Sequence, residues 1–267
     1  MYTQYFGLKY VPFAKNSPCL LIDEQHDTFK QQFNALLNMP GIGLLTGEPG
    51  VGKTALIRHI VQTLNPHQYQ VFYLTETQFT SFDIYRQIAL QFGIKPHHRF
   101  AQLWRDIKTH IRERYENNRA LPVLIIDEAQ NLPDDFFSGF PSFLNFDFDA
   151  KSMVTVWFVG HLILANIMDR IVNSALSSRI QARYHIHTIF ERDRFVQLLQ
   201  QAFRDAGAQS SLLSDSGIEL LRVASQGRLR TLHNLLLYAM QLATKKGLNY
   251  LPDDLLQEAI LVLKGGL

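Results

Sequence analysis

Gly43-Leu44-Leu45-Thr46-Gly47-Glu48-Pro49-Gly50-Val51-Gly52-Lys53-Thr54-Ala55 is the stretch that decides the fold. A short apolar run enters a turn that fits G-x-x-x-x-G-K-[ST] at every fixed position. A helical pattern then opens at Lys53 and runs to about residue 64. In a strand–turn–helix of this kind the glycines let backbone N–H groups turn inward around phosphate oxygens. The helix N-terminus adds its positive dipole end. Gly47, Glu48, Pro49, Gly50, Val51, Gly52, Lys53, Thr54 and Ala55 are therefore the candidate residues for binding ATP. Lys53 is placed to reach the β- and γ-phosphates and Thr54 to ligate Mg²⁺.

Downstream, Leu121-Pro122-Val123-Leu124-Ile125-Ile126-Asp127-Glu128-Ala129-Gln130 reads as a buried strand running into two carboxylates. Asp127 is the second candidate ligand for Mg²⁺, through water, and Glu128 can polarise an attacking water. Phosphoryl transfer is mostly positioning and charge stabilisation, so so small a set suffices for hydrolysis.

Around these two motifs, strand-length apolar runs at 42–46, 70–75, 123–127, 154–160 and 184–189 alternate with helical patterns. The helical patterns lie at 53–64, 82–92, 100–115, 134–145 and 162–171. Alternation of this kind predicts a parallel five-stranded sheet sandwiched by helices, with its ligand at the carboxyl ends of the strands. Past about residue 190 the strand runs cease. Helical patterns at 191–206, 214–225, 229–246 and 252–264 end near glycines, and predict a small all-helical lid domain. The expected division is an α/β nucleotide-binding domain over 1–190, with an N-terminal strap and leading helix in 1–40, and a helical domain over 191–267.

The 267 residues are 46% hydrophobic, enough to bury a core and to exclude wholesale disorder. A net charge of +2 means that any nucleic-acid contact must come from a local patch. The single cysteine, Cys19, excludes an internal disulfide framework and a cysteine-based zinc site, and fits a reducing compartment. Thr3, Gln4 and Lys9 interrupt what would be a secretory h-region, and no apolar run approaches the ~20 residues that span a bilayer. The expectation is a cytoplasmic protein with no membrane contact.

The chain resembles the AAA+ ATPases. It is most similar to the branch that holds the ExeA-type secretion ATPases and the ATP-dependent regulators of DNA transposition (the TniB/TnsC and IstB kinds). The resemblance opens with Phe6-Gly7-Leu8 and Pro12-Phe13, passes through the two motifs above, and continues in Leu144-Asn145-Phe146-Asp147 and Phe158-Val159-Gly160-His161. It closes with Gly227-Arg228-Leu229-Arg230. The fold it implies is the AAA+ P-loop NTPase.

Three catalytic roles are implied by the resemblance. His161 stands where the branch usually has Gln or Thr, as a polar sensor at the end of the fourth strand; its protonation would then matter near neutral pH. In Ser177-Ser178-Arg179-Ile180-Gln181-Ala182-Arg183-Tyr184, Arg179 is the first choice for an arginine finger supplied to a neighbouring subunit, and Arg183 the second. Arg230 holds the position of a lid arginine that senses the γ-phosphate. Leu229 replaces the proline usual before it, and Arg228 leaves the assignment open.

From Lys95 to Arg114 six Lys/Arg face two acids, a local surplus of +4. Arg105, Lys108 and Arg112 recur at helical spacing, opposite Leu103, Trp104, Ile107 and Ile111. This region is similar to the one that, in transposition regulators, lines a ring or filament around duplex DNA. Lys95, Arg99 and Lys108 are accordingly the candidate DNA-binding residues, through sequence-neutral phosphate contacts. The alternative is a solvated helix face. In 136–148, Phe136, Phe140 and Phe143 read as a core-facing stripe, with a subunit or partner surface as the other reading. Tyr5, Phe6 and Phe13 are candidates for packing near adenine or strapping onto a neighbour. His185 and His187 alternate along a strand without a third ligand, and read as core or edge histidines.

The functional expectation is an ATPase, slow alone and faster once assembled. It would oligomerise with ATP on double-stranded DNA, as a ring or helical filament, and regulate transposition through a transposase and a target-selection protein. An ExeA-like secretion or envelope-assembly ATPase and a nucleotide-gated binding switch are the alternatives. The envelope-type proteins usually add a membrane span and a wall-binding region, and neither precedes the end at Gly266-Leu267, which favours the first reading.

Overall fold

The structure is a computed structural model that describes residues 2–15, 24–117, 120–147, 151–208, 211–263 and 265. Cys19, Phe148 and the chain end at Gly266-Leu267 lie outside the described residues. In chain order the elements are α1 (Tyr2–Tyr5), α2 (Glu24–Asn38), β1 (Ile42–Gly47), α3 (Lys53–Gln62), β2 (Tyr69–Leu74), α4 (Ser81–Gln91) and α5 (Phe100–Glu116). They continue with β3 (Leu121–Ile126), α6 (Asp134–Leu144), β4 (Thr155–Gly160), α7 (Ile163–Met168), α8 (Ser174–Ser177) and β5 (Ile180–Ile186). Last come α9 (Arg192–Ala206), α10 (Asp215–Ser225), α11 (Leu229–Lys245) and α12 (Asp253–Leu263).

The chain divides into two compact units. One holds 24–47 and 57–186; the other holds the described residues up to Lys15, residues 48–56, and those from His187 onward. In the first, the five strands are all parallel in the order β2-β3-β4-β1-β5. The three inner strands are near-continuous apolar runs and are buried along almost their whole length, as strands covered on both faces must be. The edge strands β2 and β5 are only partly buried.

Successive side chains of a strand point to opposite faces, and β4 shows what covers each. Trp157 points to α2, where Phe33 stacks on it at 5.3 Å between ring centroids and Phe29 meets it edge-on at 5.0 Å. Phe158 points the other way, into Phe137 and Phe140 of α6. The Phe136, Phe140 and Phe143 stripe is fully buried, on the core side of α6. Gly43 of β1 makes room for the Trp157 indole: a Cβ there would stand 2.5 Å from the ring. Gly43→Ala is expected to lower stability by about 1–3 kcal/mol, the usual range for overpacking a tight core, read as a lower urea midpoint with an unchanged slope.

Two elements depart from the sequence expectation. The last strand starts four residues and ends three residues earlier than 184–189, because Ile180 pairs with Ile42 and Ile186 with Gly47. Gln181, Arg183 and His185 hide it, since an edge strand alternates polar residues where an inner one is apolar. The helix expected over 162–171 stops at Met168. Buried Asn173 donates its side-chain amide to the Ile167 carbonyl at 2.8 Å and turns the chain into a short 3₁₀ segment before α8.

In the second unit α9–α12 pack around Phe195, Leu199, Leu232, Leu236 and Leu256. Glu191 caps α9 by accepting from the Asp193 and Arg194 N–H groups, which hold its carboxyl below the usual range. Phe6, Leu8 and Val11 are buried in this same core. The Lys9 N–H donates to the Ala206 carbonyl at 2.8 Å, and His233 Nδ1 lies 2.9 Å from the Pro12 carbonyl. Phe6 is therefore a core residue of the helical unit. Phe13 packs partly buried against that core and Tyr5 is exposed. Among the described residues no helix is long and apolar enough to cross a membrane.

Candidate nucleotide site

The carboxyl ends of β1, β4 and β3 lie side by side. Thr46 is level with Gly160, and Phe158 is level with both Leu44 and Ile126. Chain direction changes sides of β1 here, the crevice where open α/β sheets take their ligands. Asp127 follows β3 directly and is 4% exposed. Tyr73 Oη donates to its Oδ2 at 2.5 Å, and the Glu128 N–H donates to its Oδ1 at 2.9 Å. Glu128 sits in the left-handed region at φ 51° and ψ 37°. Such a conformation costs a non-glycine residue about 1–3 kcal/mol and is concentrated at functional sites. The turn is braced by Thr77, whose hydroxyl donates to the Glu128 carbonyl at 3.1 Å. Tyr73, Thr77 and the turn at Glu128 were not legible in the sequence.

His161 follows β4. Its Nδ1 accepts from the Ile163 N–H at 3.4 Å, which leaves the proton of the neutral ring on Nε2, a donor. Gln130 joins the two strand ends: its amide donates to Glu128 Oε2 at 2.6 Å and accepts from the His161 N–H at 3.0 Å.

The glycine-rich loop between β1 and α3, 48–52, bends through Gly50 at φ 81° and Gly52 at φ 104°, conformations that glycine alone adopts at no steric cost. Lys53, 8% exposed at the head of α3, donates from Nζ to the Glu48 carbonyl at 3.0 Å. Thr54 and Ala55 follow in the first turn of α3. Arg228 pairs with the Glu48 carboxylate at 2.8 Å. The Arg230 N–H donates to the Gly50 carbonyl at 3.2 Å, and a Cβ on Gly50 would come 2.9 Å from Arg230 Cβ. Gly227 at φ 70° sets this contact, since a side chain there would strike the Ile189 backbone at 2.5 Å. Of the two arginines after Gly227, Arg228 has its guanidinium engaged by Glu48, and Arg230 meets the loop through its backbone. These contacts group 48–56 with the helical unit by compactness, whereas the sequence reading counts them with the α/β domain.

The Thr54 hydroxyl and the Asp127 carboxylate are each oxygen donors of the kind that Mg²⁺ takes beside waters and phosphate oxygens. Among the described residues no group of three or more His, Cys, Asp or Glu could hold a metal by itself. His185 is instead 3.0 Å from the Thr46 hydroxyl.

Arg179 precedes β5, beside the start of β1. Six residues of strand, at ~3.3 Å each, put it roughly 20 Å along the sheet from Gly47, at the opposite end. It donates to the Ala175 carbonyl at 2.8 Å. Arg183 is engaged by Asp169 at 2.9 Å and by the Ser177 hydroxyl at 2.6 Å. Of the basic surface, Lys95, Arg99 and Arg105 are exposed. Lys108 is half-buried: it donates to the Asn145 carbonyl at 2.5 Å, closing the end of α6, and lies 4.7 Å from the Phe146 ring centre. Burial, and then the Arg112 charge, hold its ammonium below the usual lysine range. Arg112 faces Asp147 at 3.7 Å.

Residues 37–168 match the AAA domain family. The chain has the AAA+ fold. It is similar to general secretion pathway protein A of Aeromonas hydrophila, 29% identical over 235 residues, which covers 85% of this chain and 42% of that protein. The chain thus spans less than half the length of that relative. Among solved structures it is similar to the Aeropyrum pernix ORC2 protein, with a TM-score of 0.69 and 17% identity over 96% of this chain and 71% of that one. The Aeropyrum pernix ORC1 protein in complex with DNA gives a TM-score of 0.70 and 15% identity over 97% of this chain and 68% of that one.

Proposed function

We propose that the chain hydrolyses ATP and that each active site is completed by a neighbouring copy. The observation that carries this is the place of Arg179, at the end of the sheet remote from its own phosphate loop. An arginine there stabilises transition-state charge only for another subunit, so hydrolysis depends on assembly. In this reading the 47–55 loop holds the phosphates, Thr54 and Asp127 hold Mg²⁺, Glu128 takes the proton of the attacking water, and His161 Nε2 donates to the γ-phosphate. Arg230 senses the γ-phosphate, and Arg228 holds the loop through Glu48. A carboxylate held beside a buried aspartate is more than a passive nucleotide switch needs.

The finer reading is an assembly on double-stranded DNA, ring or filament, that regulates transposition with a transposase and a target-selection protein. The exposed Lys95 and Arg99 support it, as does a related architecture that is found in complex with DNA. Lys108 contributes little to such a surface, because its ammonium closes α6. The second reading, a secretion-type ATPase, is favoured by similarity to general secretion pathway protein A over most of this chain. Duplex binding with a non-hydrolysable ATP analogue separates the two. On DNA, the expected result is ATP-dependent, sequence-neutral binding that weakens steeply with salt and is lost in Lys95→Ala/Arg99→Ala with nucleotide affinity intact. Absence of binding by the parent at low salt turns the assignment to the secretion reading.

A further inference from the structure

We infer that Gln130 is a positioning residue that holds the Glu128 carboxylate in register with the His161 turn. The inference rests on Glu128 being the hydrolytic base. A carboxylate only accepts hydrogen bonds and a backbone N–H only donates. A side-chain amide placed between them satisfies both, with its NH₂ toward Glu128 and its oxygen toward His161. Glutamate at 130 offers the same shape without the donor. The bond at 2.6 Å occupies Oε2 and leaves Oε1 to take a proton from water.

A second observation shows that the fold makes room for this bridge. A Cβ on Gly160 would stand 2.3 Å from Gln130 Oε1. Any larger residue at the end of β4 would push the amide aside. Gly160 and Gln130 therefore act as one device: β4 ends without a side chain so that the amide can tie the carboxylate after β3 to the backbone after β4. Movement of the His161 turn is then transmitted to Glu128, and small errors in the placement of a catalytic group have large effects on rate.

The test is steady-state ATP hydrolysis by assembled protein, with ATP affinity measured separately. Gln130→Ala is expected to lower kcat about ten-fold with KM and ATP affinity unchanged, the scale of one charge-assisted hydrogen bond. Gln130→Glu keeps the shape, removes the donor and puts two carboxylates together, so its kcat falls further than that of Gln130→Ala. Gly160→Ala reproduces the Gln130→Ala loss, and the double variant is no slower than either single one. Parental kcat in Gln130→Ala, or losses that multiply in the double variant, overturn the inference. Should Gly160→Ala fold poorly because Leu164 is also close, Gln130→Glu decides: a kcat no lower than that of Gln130→Ala overturns it. Glu128→Gln in parallel separates the two levels. A parental rate there removes the base assignment itself; a loss there with parental Gln130→Ala removes only the positioning role.

Discussion

Glu128→Gln is expected to bind ATP as tightly as the parent and to hydrolyse it at least about a hundred-fold more slowly, the low end of what a positioned general base contributes. The amide keeps the size of the carboxylate and cannot take a proton from water. Lys53→Ala behaves differently. Lys53 is nearly buried and its ammonium donates to the Glu48 carbonyl; in the proposed site it is the cation that meets the phosphates. Its loss removes binding and hydrolysis together. Equilibrium binding of a fluorescent ATP analogue beside phosphate release distinguishes the two variants. Hydrolysis by Glu128→Gln at the parental rate would remove the carboxylate from the mechanism.

Arg179→Ala should leave ATP affinity intact and lower hydrolysis by assembled protein about a thousand-fold, as loss of an arginine finger does. The decisive measurement is a mixture. A copy carrying Arg179→Ala keeps Glu128, and a copy carrying Glu128→Gln keeps Arg179. Neither is active alone. Mixed in equal amounts before assembly, one junction in four pairs an intact finger with an intact base, so about a quarter of the parental rate should return. A mixture as inactive as its components would show that Arg179 does not act across subunits. Arg183 serves as the contrasting position. Its bonds to Asp169 and Ser177 make Arg183→Ala a surface ion-pair loss, with a small effect on stability and little on rate.

The sequence alone determined the parallel order of strand and helix, the glycine turn between β1 and α3, the place of Asp127-Glu128 directly after β3 and the run of helices past residue 190. Each rests on local physics: apolar runs long enough for inner strands, glycines where φ must be positive, and carboxylates directly after a buried strand. Tertiary structure decided what depends on residues distant in sequence. Edge strand β5 became visible only through its pairing with β1, since Gln181, Arg183 and His185 alternate polar and obscure it. Lys108 reads as a surface cation until the end of α6 closes over it. Phe6 belongs to the helical core because α9 and α11 fold around it, some two hundred residues away in the chain. Gln130 is a polar residue in a turn until β4 ends beside β3, where Gly160 carries no Cβ to displace its amide oxygen. Period and punctuation act between neighbours in the chain, whereas the partners of a buried amide, an edge strand or a half-buried lysine are set by which elements the packed sheet brings together.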